Sequence, residues 1–157
     1  MYIFAGLPLT IMKRIIEYRK LLNVDKTADL KGLKTAYRTA MKEWHPDKFQ
    51  ENELKLEAEE KSKEFILAYH FLVSISPETH ESALEEYTQT INTNVINYKY
   101  KGQTLEIHFS DGCVYEYFSV PKNVYNKLIN SDIPGRFVRR NICNEFLYRK
   151  VTSAITE

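Results

Sequence analysis

Two hydrophobic periods divide the chain. Between residues 12 and 90 apolar positions recur every three or four residues, interrupted by only two Pro and one Gly, which is the period of helices buried along one side. From Val95 onward the period becomes two. Leu105, Ile107 and Phe109 alternate with Glu106, His108 and Ser110, which puts the apolar set on one face of a strand. The change falls in Thr88 to Asn94 (TQTINTN), a stretch with no charge and no apolar repeat that reads as a linker.

In the helical half, a first helix is expected from about Met12 to Leu22, with Thr27 or Asp29 capping the next. That second helix, Leu30 to Trp44, places Leu30, Leu33, Tyr37, Ala40, Met41 and Trp44 on one face at about 100° per residue. Lys31, Lys34, Arg38 and Lys42 form a cationic stripe beside it. Pro46 stops the helix, because proline lacks an amide donor and disfavours helical geometry at the preceding His45. His45, Pro46 and Asp47 therefore stand at a helix end and in the loop after it. A third helix, about Glu53 to Ser74, carries Leu54, Ala58, Phe65, Ala68, Tyr69 and Leu72 on its buried side. Two long helices joined by a loop of about ten residues favour an antiparallel pair. Pro77 opens a short fourth helix reaching about Tyr87.

The second half predicts a three-stranded meander, Val95 to Tyr100, Gln103 to Phe109 and Cys113 to Phe118. Lys101-Gly102 and Asp111-Gly112 occupy the two-residue hairpin positions. One main helix follows Val120-Pro121 and runs to about Asn130, with Val124, Tyr125 and Leu128 facing inward; Pro134-Gly135 makes a turn, and Phe146 to Val151 returns as another strand beneath or beside the sheet. The expected fold is α+β in two domains: an N-terminal all-α bundle and a C-terminal α+β unit. The organisation reads as an extension over 1–11, a helical domain over 12–88, a linker over 89–94, an α+β domain over 95–151 and a tail over 152–157.

Composition narrows the function. Of 157 residues, 43% are hydrophobic and 27% charged, the mix of a folded soluble chain. Residues 1–88 hold 13 Lys/Arg against 15 Asp/Glu, and residues 89–157 hold 9 against 6, so neither half is basic enough to require a nucleic acid. Cys113 and Cys143 lack zinc spacing and read as free thiols in a reducing, cytoplasmic compartment. The apolar start MYIFAGLPLTIM is short, is broken by Gly6 and Pro8, and precedes its basic residues, so neither a signal peptide nor a membrane span is expected. There is no Gly-rich phosphate loop, no metal spacing among His45, His70, His80 and His108, and no nucleophile with a base nearby in sequence. Neither catalysis, a metal nor a cofactor is expected.

The tripeptide beside the cationic helix carries the functional reading. A proline-fixed Asp47 can meet a partner's arginine as a defined charge pair, His45 can brace the loop or touch the same surface, and the stripe favours an acidic docking surface. The order Leu33, Lys34, Ala36, Tyr37, Arg38, then Trp44-His45-Pro46-Asp47-Lys48, then Phe65, Ala68, Tyr69 and Leu72 resembles the J domain of DnaJ-like co-chaperones. The resemblance covers about Met12 to Tyr87. It implies a DnaK-type (heat shock protein 70) chaperone in its ATP state as partner, held through His45, Pro46, Asp47, Lys31, Lys34, Arg38, Lys42 and Lys48. Asn23 stands where the family usually has Gly, and no Gly/Phe-rich or cysteine-rich zinc module follows, which suggests a specialised member whose second domain chooses an unidentified client or target.

The later pattern, Tyr98, Leu105, Ile107, Phe109, Gly112, Tyr115, Tyr117, Val120-Pro121, Tyr125, Leu128, Gly135, Phe137, Ile142, Phe146 and Tyr148-Arg149, resembles the KTSC domain, named from the C-terminus of some lysyl-tRNA synthetases. Apolar and turn positions define a fold and not an activity. That association suggests RNA contact as an alternative, with Arg136, Arg139, Arg140, Arg149 and Lys150 on phosphates and exposed tyrosines on bases. A protein-interaction or purely structural role, including assembly through both domains, is the competing reading of this half.

Overall fold

The computed structural model describes residues 9–151, with side chains from Ile11 onward. The chain divides into two compact units, Met12–His80 and one beginning at Glu81.

In the first unit, α1 (Leu9–Leu21), α2 (Leu30–Trp44), α3 (Asn52–Ser74) and α4 (Pro77–Ser82) follow one another, with a 3-10 turn at Pro46–Lys48. The first helix thus starts three residues earlier than the pattern suggested and takes in 9–11 of the expected extension; the rest of that extension, 1–8, lies outside the described residues. Asn23 closes the turn after α1 at φ +55, a left-handed conformation that Asn tolerates better than most residues. Asp29, not Thr27, caps α2: its Oδ1 accepts the Gly32 amide at 2.8 Å. Thr27 instead bonds back to Asp25.

Three contacts fix α2 and α3 as an antiparallel pair. Trp44 C=O accepts from Ser62 Oγ at 3.2 Å, Tyr37 stacks on Tyr69 with centroids 4.4 Å apart, and the Leu30 amide donates to Glu78 Oε1, on α4, at 3.1 Å. Moving back along α2 therefore means moving forward along α3 and into α4. Leu33, Ala58, Phe65, Ala68, Phe71, Leu72 and Ile75 are buried in this unit. Leu54 is not: at 42% exposed it lies in the first turn of α3, before the helix has met its neighbours. From α1, Tyr18 meets Phe71 edge-on at 5.4 Å and the Arg14 guanidinium covers the same ring at 4.2 Å, an aromatic contact with a cation above it.

The second unit begins with a helix that the polar composition concealed. The expected fourth helix breaks at Ala83, and α5 (Leu84–Ile91) runs on through half of the stretch read as a linker. Thr90 is buried and donates through Oγ1 to Asp111 Oδ2 at 2.7 Å. Asn94 exchanges bonds with Ser110, its carbonyl accepting the amide at 2.8 Å and its own amide donating to the hydroxyl. TQTINTN is thus attached to a hairpin loop through the Thr90 side chain and the Asn94 backbone, while Thr88, Asn92 and Thr93 bond back to carbonyls of the segment's own helix. Burial works against ionisation of Asp111, but bonds from Thr90 and the Cys113 amide outweigh it and hold the carboxyl below its ordinary value.

The sheet has four antiparallel strands in the order β1 (Val95–Lys101), β2 (Thr104–Phe109), β3 (Val114–Tyr117) and β4 (Tyr148–Lys150). The returning strand lies beside the meander, with Tyr117 opposite Tyr148 and Glu116 opposite Arg149. Leu105, Ile107, Phe109, Tyr115 and Tyr117 form one buried face, joined by Leu128 of α6 (Lys122–Ile129), Val138 of α7 (Pro134–Asn141) and Tyr87 of α5. Pro134-Gly135 does not turn the chain; it opens α7, since a proline at the first helical position loses no hydrogen bond there. Cys113 and Cys143 are free thiols, and burial pushes the Cys143 thiol up.

Both hairpin loops differ from the sequence reading by one residue, the first in position and the second in length. Lys101 pairs with Thr104, so the first loop is Gly102-Gln103, at φ +57 and +63, as a type I′ turn requires. In the second, the Phe109 amide reaches the Cys113 carbonyl at 3.0 Å, leaving a three-residue loop that Gly112 closes at φ +89. A left-handed glutamine costs about 1–2 kcal/mol, against about 0.5–1 kcal/mol for the extra freedom glycine has when unfolded. Gln103→Gly is therefore expected to raise the urea midpoint of this unit, by roughly 0.5–1 kcal/mol of stability with the slope unchanged. An equal or lower midpoint contradicts the turn assignment.

Candidate functional site

The site is built on the end of α2. His45 ends the helix in extended geometry, φ −63 and ψ 128, which the following proline favours. Pro46–Lys48 then forms a single 3-10 turn closed by Lys48 N–H to His45 O at 3.0 Å and Phe49 N–H to Pro46 O at 3.1 Å. The Asp47 amide donates to His45 Nδ1 at 3.3 Å. In that bond Nδ1 is the acceptor. The Asp47 carboxylate stands 3.6 Å from the same ring, with side-chain exposures of 53% for His45 and 84% for Asp47. The histidine thus braces the backbone of the turn through the amide, while the carboxylate lies beside its ring and is largely in water.

Packing from α3 fixes the base of this turn. Besides the Ser62 bond to its carbonyl, Trp44 stacks on Phe49 with centroids 6.1 Å apart and carries the Lys61 ammonium 5.4 Å above its ring. The turn is therefore clamped at both ends, by Trp44 before it and Phe49 after it.

Lys31, Lys34, Arg38 and Lys42 are all exposed, as is Lys48. At 100° and 1.5 Å per residue the four helical cations share a face of roughly 80° and extend along roughly 16 Å of α2. Continuing the same rotation brings the row to His45. Geometry thus brings together the three tripeptide residues and the cations predicted with them: a line of positive charge leading to one outward carboxylate.

The five cations picked out in the second unit are not one patch. Arg149 Nε donates to Glu116 Oε2 at 3.0 Å. Lys150 pairs with Glu86, which raises its pKa. Arg139 reaches the Ile91 carbonyl at 3.4 Å. Arg136 and Arg140 alone of the five are fully at the surface, on α7. The RNA reading also needs exposed tyrosines, but those of this unit are largely interior: Tyr87, Tyr115, Tyr117 and Tyr148 are buried, and Tyr100 stacks on Tyr125 at 4.3 Å with its hydroxyl on the Val120 carbonyl. Burial lifts the Tyr148 phenol to about 12. Alternation showed that such residues face the sheet, but not which face is covered.

Residues 17–80 match the family model of the DnaJ domain and residues 92–146 that of the KTSC domain. The chain therefore carries a DnaJ domain over residues 17–80 and a KTSC domain over residues 92–146. Among curated relatives, the "Chaperone protein DnaJ" of Thermoplasma volcanium is 46% identical over 56 residues, 36% of this chain and 15% of that protein. The human "DnaJ homolog subfamily B member 7" is 30% identical over 125 residues, 78% of this chain and 35% of that protein. The mouse protein of the same name is 41% identical over 61 residues, 39% of this chain and 19% of that protein. The chain thus spans well under half the length of each. Among the described residues no helix is long and apolar enough to cross a membrane, and no group of three or more His, Cys, Asp or Glu is placed to hold a metal.

Proposed function

We propose that this protein is a cytoplasmic co-chaperone that docks on a DnaK-type chaperone in its ATP state and stimulates ATP hydrolysis, its KTSC domain serving as a targeting or interaction module for a client or target protein. The observation that carries this reading is the outward Asp47 carboxylate on a braced turn at the end of an exposed row of cations. The row steers an acidic surface toward α2. The carboxylate then meets an arginine in a fixed geometry because its turn is braced through the backbone amide. A partner whose hydrolysis-competent conformation presents that arginine is bound better in that conformation, and the equilibrium shifts by the difference in affinity.

The test is the ATP turnover of a DnaK-type chaperone with and without this protein. Steering and anchoring predict different signatures. Replacing Lys34 and Arg38 by glutamate should slow association and weaken apparent affinity by roughly tenfold or more at low salt, with the deficit shrinking as salt screens the charges. Stimulation at saturation should survive. A deficit that does not depend on salt contradicts the steering role.

A further inference from the structure

The docking mechanism above leaves α7 unused. Beside this helix lies a shallow groove, open to solvent, with Ile133, Arg136, Phe137 and Arg140 on its walls and Asp132 among its lining. Arg136 and Arg140 stand one helical turn apart and are exposed, and neither makes an ion pair among the described residues. Asp132 lies one turn before Arg136 yet does not pair with it. α7 reads PGRFVRRN, without any acid, so Arg136 places an uncompensated cation in the first turn of a helix, where the backbone dipole is already positive. Local rules broken without internal compensation are expected at functional or strained sites. Ile133, 49% exposed, and Phe137, half-buried, are the apolar members of a lining completed by Ser131, Asp132, Asn141 and the two arginines.

We infer that this groove docks a short acidic segment of a protein partner, whose carboxylates pair with Arg136 and Arg140 while an apolar side chain rests on Ile133 and Phe137. The inference deepens, and rests on, the reading of the KTSC domain as a targeting module. Charge complementarity selects the occupant. The region 89–157 carries 9 Lys/Arg against 6 Asp/Glu, and guanidinium forks match carboxylates bidentately. A nucleic acid fits less well, because backbone recognition needs cations in a track and bases need open aromatic faces. Here Arg139, Arg149 and Lys150 are engaged within the unit, and its tyrosines are buried or in ring contact with another tyrosine.

The experiment uses the full chain and fluorescence anisotropy at low ionic strength, with a fluorescein-labelled peptide of alternating Glu and Leu, the same peptide with Leu replaced by Ser, and an unlabelled oligouridine competitor. The Glu/Leu peptide should bind, more tightly than the Glu/Ser peptide. Its affinity should fall at least about tenfold in Arg136→Ala/Arg140→Ala and stay at the wild-type value in Lys101→Ala, an exposed cation elsewhere in the unit. Far-UV circular dichroism checks the fold, with Arg136→Gln/Arg140→Gln as the second variant. The arginine variants should stimulate the chaperone ATPase normally, and Asp47→Asn should bind peptide normally, so failure at one site is distinguishable from failure at the other. Absence of peptide binding, equal binding by the arginine variants, or displacement of the peptide by oligouridine through the same two arginines overturns the inference.

Discussion

Asp47→Asn is expected to abolish stimulation of a DnaK-type chaperone while leaving the J domain folded. Asparagine has the shape of aspartate, and the hydrogen bond residue 47 gives to His45 Nδ1 comes from its backbone amide, which the substitution keeps. With 84% of that side chain in water, the substitution should change stability by no more than about 0.5 kcal/mol. On the chaperone the balance is different. Removing one member of a close charge pair at an interface costs about 2–5 kcal/mol, much of it from the charge left behind, which corresponds to a loss of roughly thirtyfold or more in affinity for the docked state. A variant that melts with the wild type and no longer stimulates is the expected outcome. A variant that fails in both respects would make Asp47 structural instead.

The second large effect concerns where the second unit begins. The KTSC family match starts at residue 92, but Tyr87 on α5 is in the core of this unit. Its ring stacks on Tyr148 at 4.1 Å and meets Tyr115 edge-on at 5.0 Å. Its hydroxyl lies 2.9 Å from that of Tyr117 and donates to the Cys143 carbonyl at 2.9 Å. Burial, with the neighbouring Tyr117 and Cys143, raises the phenol far above its ordinary value, so it remains a neutral donor. Removing a large buried aromatic costs about 3–5 kcal/mol, comparable to the entire stability of a domain this small. A fragment beginning at residue 92 is therefore expected to be unfolded, one beginning at residue 81 to fold cooperatively, and Tyr87→Ala in the full chain to unfold this unit selectively. Tyr87→Phe, which keeps the ring but strands the Cys143 carbonyl, should cost about 1–3 kcal/mol. Urea titrations followed by tyrosine fluorescence separate these cases, and a stable 92–157 fragment would contradict the role of α5.

What could be read in advance follows the range of the interaction. The helix end at His45 depends on neighbours a few residues away, and local chemistry was enough to place it; for the cap of α2 the same chemistry left Thr27 and Asp29 both open until the structure showed Asp29 on the Gly32 amide. The cationic row on α2 needed only the helical period. Lys150 and Arg149 appeared to be available cations because their partners, Glu86 and Glu116, are 64 and 33 residues distant. No periodicity reports such pairs. The same holds for Thr90: in TQTINTN it is one polar residue among several, and only the fold brings it to Asp111. Pro134-Gly135 misled for a different reason, since proline serves equally well at a turn and at the first position of a helix, and the choice depends on whether Val138 has a core to enter.

The most direct measurement is the single-turnover rate of ATP hydrolysis by a DnaK-type chaperone, titrated with the full chain and, in parallel, with Asp47→Asn. The account predicts saturable acceleration by the wild type and a rate indistinguishable from the unstimulated chaperone with the variant. Equal acceleration by both proteins would contradict it.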